Sequence, residues 1–392
     1  MTDYQLIDFD THYYEPLDAC TRHLDERIKR QRRSVEMVTQ GNRVYPVVGG
    51  RLTNFVPNVT FDPIAAPGSL EEYFRGESMG KHLKEMAVVE PLRPEYQQRG
   101  PREKVMAEQG VEEIVLLPTF TCGVEEMLCD DIEATTATLR AFNRWLHEEW
   151  GFSGPTIAAP LIGMSDVDAA LAEIEWALSE GARVLLMTPG PVRGPGDQRY
   201  SPANRRFDPI WSAINAAGVT VAYHAADSGY FRYFRDYDDP AVMDAFDPKM
   251  RLGSLFSVDR PMQDMLGVMV MQRLFERFPN LRVVSVEQGS DWLLVLLSKL
   301  EKLYHRRTSV FAEDPRDTVR RHVWTCPFWE DDIGALIAAV GPERVVFGSD
   351  WPHPEGVAEP RQFAKYLDGV AAGDVRRIMR DNAAELLTRR PS

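Results

Sequence analysis

The sequence predicts an α/β chain folded as a distorted (β/α)8 barrel, the TIM-barrel class, with an insertion after the first strand. Three observations predict it. Eight short apolar runs have strand length, helix-length amphipathic segments separate the later ones, and Asp, Glu or His residues stand where several runs end. The runs are continuous and rich in β-branched residues, as expected of parallel strands covered on both faces. Repeated strand–helix order points to a parallel sheet, and eight strands select the barrel over an open doubly wound sheet.

In order, the strands are predicted at residues 5–9 (QLIDF), 113–118 (EIVLLP), 156–162 (TIAAPLI), 183–188 (RVLLMT), 220–224 (TVAYH), 281–287 (LRVVSVE), 322–326 (HVWTC) and 344–348 (RVVFG). Helical spacing of apolar residues marks 132–150, 166–180, 209–217, 263–278, 291–304, 331–339 and 361–367. Ser165 and Ser290 supply start signals for two of these. Residues 20–100 break the pattern, being rich in Pro, Asn, Gly and charge, with a hairpin expected within 37–51 (MVTQGNRVYPVVGGR). They read as an insertion or cap within a single barrel domain spanning 1–392. A second irregular stretch, 227–260, follows the fifth strand and is rich in aromatics (YFRYFRDYDD). Barrel loops on that side build active sites, so both stretches are expected to contact substrate.

Bulk properties narrow the class. A net charge of -14 over 392 residues argues against nucleic acid or an acidic membrane as partner, and the densest basic cluster, Lys29–Arg33, falls in a solvated helical segment. The four cysteines show no CxxC spacing; Cys122 and Cys129 are the one pair near enough in sequence to bridge. The N-terminus is acidic and enters a strand at once, so no signal peptide is expected, and no apolar stretch is long enough to span a membrane. A reduced, cytoplasmic protein is the reading.

The chemistry sits at the strand ends. The first strand finishes IDFDTHYYEP, placing Asp8, Asp10 and His12 on one face of an extended segment. Asp10 and His12 can reach one ion, and carboxylate plus imidazole suits Zn, Mn or Fe; a capping Asp beside a packed His has the same spacing. His224 closes the fifth strand, where a lone histidine is more often a hydrogen-bonded core residue. Glu287 follows the apolar sixth strand, and a carboxylate seldom ends a buried run without a partner. Asp350 and His353 follow the eighth in VVFGSDWPHPEG, with Pro352 and Pro354 stiffening the loop. Four strand ends bearing such groups on the catalytic face of a barrel are a stronger signal than any one of them. The other histidines, at 23, 82, 147, 305 and 322, fall elsewhere and read as surface or structural.

Taken together, IDFDTHYYEP, the fifth-strand His224, FPNLRVVSVEQGSDWL and VVFGSDWPHPEG resemble the amidohydrolase-related proteins grouped with aminocarboxymuconate-semialdehyde decarboxylase. The resemblance covers nearly the whole chain and is weakest over 20–100. It implies a distorted (β/α)8 barrel with one divalent metal, zinc first and manganese or iron as alternatives, and a homodimer. Carried onto this chain, the metal ligands fall on Asp10, His12, His224 and Asp350. Two departures stand out. The family's founding pattern begins His-x-His, whereas this chain has Asp10-Thr11-His12, and its sixth strand carries Glu287 where those decarboxylases have a histidine. Glu287 is open to three roles: ligand, general base, or contact to a cationic substrate group.

The expected activity is a metal-dependent carbon–carbon lyase, a non-oxidative decarboxylase of a small aromatic or unsaturated carboxylic acid. Asp350 would move a proton at carbon, assisted by His353 or Glu287. Arg232 or Arg235 would meet a substrate carboxylate, although a solvated position is the commoner role for such residues. The alternative is a hydrolase of an amide, ester, lactone or C–C bond, in which the metal activates water and Asp350 takes its proton. A non-catalytic binding protein on the same barrel is the third reading, and the complete set of candidate ligands argues against it.

Overall fold

The structure, a computed structural model, describes residues 4–391 apart from positions 54, 57, 82, 238–251 and 257, and apart from the side chains at 84, 231, 235, 253 and 254. Seven regular strands form two parallel arcs. Leu6–Tyr13, Val111–Pro118 and Thr156–Ala158 pair in that order. Val184–Met187, Thr220–His224, Arg282–Val286 and Val323–Thr325 form the other. Single parallel bridges close the ring: Leu161 with Leu186, Thr325 with Val345, and Thr11 with Trp351. The chain is therefore a (β/α)8 barrel whose eighth stave is the irregular segment 345–351.

That eighth stave lacks a regular ladder but is bonded on both sides. Val346 donates its N–H to Thr325 O at 3.0 Å, and Phe9 N–H donates to Phe347 O at 3.0 Å. Asp350 N–H reaches Asp10 O and His12 N–H reaches Trp351 O, both at 2.8 Å. The approach is so close at Gly348 that an added Cβ would lie 2.4 Å from both Asp10 Cβ and Cys326 Sγ. Glycine is needed here for space.

The strands are short and aliphatic because both faces are covered; Val115, Leu116, Ile157, Val184, Val221 and Val283 are wholly buried. Helix starts follow carboxylate caps. Asp131 accepts from Ala134 N–H before Ile132–Glu149, and Asp166 accepts from Ala169 N–H before Val167–Ser179. The cap of the second is therefore Asp166 and not the expected Ser165. Ser290 does precede Asp291–Arg306, but its hydroxyl donates to Asp331 Oδ2 at 2.9 Å and caps nothing. The helix expected over 263–278 divides into Arg260–Met271 and Leu274–Arg277, with Arg273 left-handed at φ 59° between them.

Within 20–100, the expected hairpin forms from Val35–Gln40 and Arg43–Val48, with Arg51–Leu52 added at its edge. The Lys29–Arg33 cluster is neutralised locally: Arg33 forks onto Asp131 at 2.7 Å and Arg32 pairs with Glu36. Further along, Gly68 N–H donates to His353 O at 3.2 Å and Leu70 N–H to Pro354 O at 2.9 Å, bracing the loop after the eighth stave. All four cysteines are free, so Cys122 and Cys129 do not bridge. Cys122 Sγ donates to Thr119 O, and Cys129 Sγ accepts from Arg193 and Arg232. No helix among the described residues is long and apolar enough to cross a membrane.

Overpacking at the seam between the first and eighth staves is the sharpest test of this architecture. Gly348→Ala should cost about 1–3 kcal/mol of stability, as forced methylenes do in packed interiors. It should also lower the thermal unfolding midpoint of the ion-free protein, and an unchanged midpoint would contradict the close approach.

Candidate metal centre

The first strand is buried along its whole length, which forces Asp10 and His12 to find partners inside the barrel. Its register with the second strand shifts between Asp8 and Thr11. Asp8 braces that shift: its carboxylate accepts from Asp10 N–H at 3.2 Å and Ser349 N–H at 2.9 Å. Behind the seam, the buried Arg102 donates to His12 O at 2.8 Å, and its guanidinium lies 4.0 Å from the centre of the Trp351 ring.

Six groups converge at the strand ends. His12 Nε2 lies 3.3 Å from Asp10 Oδ1, 3.2 Å from Asp350 Oδ1, 3.4 Å from Glu287 Oε2 and 3.3 Å from His224 Nε2. His224 Nε2 stands 2.5 Å from Glu287 Oε2 and 3.9 Å from Asp10 Oδ1. His353 Nδ1 lies 2.7 Å from Asp350 Oδ1, and its ring stacks on His12 at 3.9 Å. Glu287 and Asp350 hold left-handed backbone, φ 53° and 57°, which costs a non-glycine residue about 1–3 kcal/mol and clusters at functional sites.

The site is suited to a cation. Asp10 Oδ1, Glu287 Oε2, Asp350 Oδ1 and His353 Nδ1 are buried without a hydrogen-bond partner. Buried acceptors normally find donors, and unpaired ones facing a common point fit a positive ion there. Two overlapping groups have ligand atoms within 4.8 Å of one another: Asp10, His12, His224 and Glu287, and His12, Glu287, Asp350 and His353. Carboxylate and imidazole donors suit Zn, Mn or Fe. Every residue expected at the site is thus brought together, with Glu287 common to both groups.

Electrostatics separate the acids. Burial, reinforced by the charge of Glu287, raises Asp350 to about 7. Burial also raises Asp10, against the pull of His12. Glu287 is the opposite case: burial pushes it up, but His224 and His12 outweigh that and hold it well below the usual carboxylate range. Burial opposes charge on His12, yet its three carboxylate neighbours lift it well above an ordinary histidine. His353 drops to about 4 through burial and the charge of His12.

Several residues of this neighbourhood were not singled out from sequence. Thr119 meets His353 Nε2 at 3.0 Å, and the buried Glu15 accepts from Phe120 and Thr121 N–H at 2.9 Å. Arg102 sits in the GPREKVMAEQ helix, and a polar residue on a packed helix face was the one available signal. Glu355 is raised to about 7 by burial and the charge of Asp350. Asp8, grouped with Asp10 and His12 by spacing, serves as the brace described above. In the aromatic stretch after the fifth strand, Arg232 is tied to Glu126 at 2.5 Å, and the side chain of Arg235 lies outside the described residues. Arg232, Tyr230, Tyr233 and Phe234 line a cavity of about 580 Å³ that reaches Ser228, four residues beyond His224.

Comparison with known proteins places this geometry. Residues 7–389 match the family described as amidohydrolase. An amidohydrolase from Mycobacterium avium subsp. paratuberculosis is 42% identical, with 99% of this chain and 100% of that one covered and a TM-score of 0.93. A dihydroxybenzoic acid decarboxylase from a Polaromonas species, solved with manganese and 2-nitroresorcinol, shares the fold at 14% identity, TM-score 0.61, covering 98% and 97% of the chains. A 5-carboxyvanillate decarboxylase from Sphingomonas paucimobilis does so at 20% identity, TM-score 0.56, covering 76% and 87%.

The raised Asp350 ties ion binding to pH. A folded pKa of about 7 against 3.8 means the ion-free chain loses this group's stabilising contribution as pH rises from 3.8 through about 7. A cation favours the charged form, so its binding must displace the proton. Zinc affinity should rise at least tenfold per pH unit from 5.5 to 7 and go on rising above that while the lifted His12 and His224 shed their protons, with proton release visible in calorimetry across buffers of different ionisation heat. A pH-independent affinity without proton release would contradict this.

Proposed function

The chain belongs to the amidohydrolase family, and from that premise we propose that it is a metal-dependent carbon–carbon lyase that decarboxylates a small aromatic or unsaturated carboxylic acid. The observation that carries the reading is the pairing of a carboxyl raised to about 7, Asp350, with an orphaned donor cluster fit for a divalent ion. Fold-sharing proteins described as decarboxylases of aromatic acids support the lyase over the hydrolase.

When bound, the ion would act as Lewis acid and template for the substrate's carboxylate and a neighbouring oxygen. Asp10, His12 and His224 would hold it, with Glu287 or Asp350 completing the set. The remaining chemistry belongs to the side chains. Asp350, ionised once an ion is bound, takes up a proton from solvent and delivers it to the carbon bearing the carboxylate; the bond to that carboxylate then breaks, its electron pair restores the unsaturated system, and carbon dioxide leaves. Asp350 regains its proton from solvent. Glu287, kept anionic by His224 and His12, favours proton uptake by Asp350. His353 lines up the Asp350 carboxyl from 2.7 Å. The cavity beside the fifth strand offers aromatic walls to an apolar ring.

Zinc as the ion, with manganese or iron as alternatives, a homodimer, a cytoplasmic location, and a single barrel domain capped by 20–100 belong to the same proposal and rest on the sequence reading. The bonds from Gly68 and Leu70 to the loop after the eighth stave support the cap. Hydrolysis is the second reading: an Asp350 poised near neutrality also serves as base toward water, taking its proton as the carbonyl is attacked.

Metal-loaded protein incubated with hydroxybenzoates and muconate-like acids should release carbon dioxide from at least one of them. Release from none, alongside hydrolysis of an ester or lactone, favours the second reading. On any substrate found, Asp350→Asn should lower kcat by about 10²–10⁴, the usual worth of a positioned proton donor. Full turnover in that variant removes Asp350 from its role. His224→Ala should lose most of its bound metal by elemental analysis, and undiminished metal would exclude His224 as a ligand.

A further inference from the structure

Thr119 has one hydroxyl proton and two polar neighbours. Its Oγ1 donates to the main-chain carbonyl of Tyr13 at 2.9 Å, and a carbonyl can only accept. The same oxygen lies 3.0 Å from His353 Nε2. With its proton committed to Tyr13, Thr119 can only accept there, so His353 must carry its hydrogen on Nε2. The opposite nitrogen, Nδ1, is then a lone pair, and it is the atom that faces Asp350 Oδ1 at 2.7 Å without a hydrogen bond.

We propose that Thr119 is a positioning residue that fixes His353 as the Nε2–H tautomer and thereby keeps a lone pair, not a proton, pointed into the carboxylate cluster. This rests on the reading above in which His353 serves Asp350. The alternative tautomer would place an N–H toward the ion position, where its positive hydrogen opposes a cation. It would also donate to Asp350 and favour the carboxylate over the proton-carrying form. The arrangement is pinned on every side. His353 stacks on His12 at 3.9 Å with 23° between planes, its main-chain N–H donates to the main-chain carbonyl of Asp350, and its own carbonyl accepts from Gly68 N–H. The segment bearing Thr119 is itself anchored by the Glu15 carboxylate, which accepts from Phe120 and Thr121 N–H. With the ring unable to turn over, the hydroxyl chooses the tautomer.

The test is two-bond proton–nitrogen correlation spectroscopy on full-length protein carrying nitrogen-15 histidine, ion-free, with the His353 signals identified by their loss in His353→Gln. Wild type and Thr119→Ser should show the Nε2–H pattern. Thr119→Val, of the same shape without the hydroxyl, should shift His353 to Nδ1–H or to a mixture, and should weaken zinc binding by about tenfold or more, the usual cost of losing such a partner. A wild-type His353 protonated on Nδ1, or a Thr119→Val protein that retains the Nε2–H pattern, overturns the proposal. The tautomer is read without substrate, so failure to find a decarboxylated acid would count against the proposed function alone.

Discussion

Burying several carboxyl groups at one point without a matching number of donors is the constraint around which this barrel is organised. Asp10, Glu287 and Asp350 face one another and two imidazoles, and oxygens of all three lack a hydrogen-bond donor. Taking such groups out of water costs several kcal/mol each unless something positive repays it. The chain supplies part of the repayment by lifting His12 and His224 toward the protonated state, and part by letting Asp350 keep its proton. A divalent cation at the centre would do the same work with one charge centre. The strained backbone at Glu287 and Asp350 belongs to the same account, because it aims their side chains inward.

The ring is closed where this cluster is densest. The first and eighth staves meet through isolated hydrogen bonds, so their register rests on side chains beneath the site. Asp8 accepts from both staves, through Asp10 N–H and Ser349 N–H. Arg102 likewise reaches carbonyls of both, His12 O at 2.8 Å and Trp351 O at 3.4 Å. Burial lowers Arg102 to about 9, and the charge of Asp8 pulls the other way. Asp10 and Asp350 consequently sit on one rigid unit although 340 positions separate them. Preorganisation of this kind is what lets carboxylates favour one ion position over solvent-like rearrangement.

How much of this was readable follows from which forces act locally. Continuous aliphatic runs carry their own signal, so the strands were legible, and the strand-end positions of Asp10, His12, His224, Glu287, Asp350 and His353 followed from them. The eighth stave was legible as an apolar run but not as an irregular one, because its geometry is set by the contact of Gly348 with Asp10 and Cys326. Helix starts were off by a residue where Asp166 caps in place of Ser165, and Ser290 turned to Asp331, a partner 41 residues away. Thr119 and Arg102 were invisible for a plainer reason. A threonine after a strand and an arginine in an amphipathic helix are common, and nothing in one sequence says which main-chain carbonyl either will meet.

The two stretches that resisted reading each border a segment that carries a residue of the cluster, which bears on selectivity. From the 20–100 side, main-chain donors of Gly68 and Leu70 hold the loop carrying His353, and the left-handed Gly68 is required because a Cβ would lie 2.8 Å from Ala358. Beyond the fifth strand, aromatic residues near Ser228 wall a cavity whose arginines, Arg199, Arg232 and Arg260, are already paired with Glu126, Glu126 and Asp264. A guanidinium so engaged is a weaker recruiter of a substrate carboxylate than a free one, since binding must break an existing ion pair. Under the proposed activity, recognition of an acid substrate would fall mainly to the ion position itself. The aromatic walls would then select the body of the molecule, and the buried cluster the chemistry.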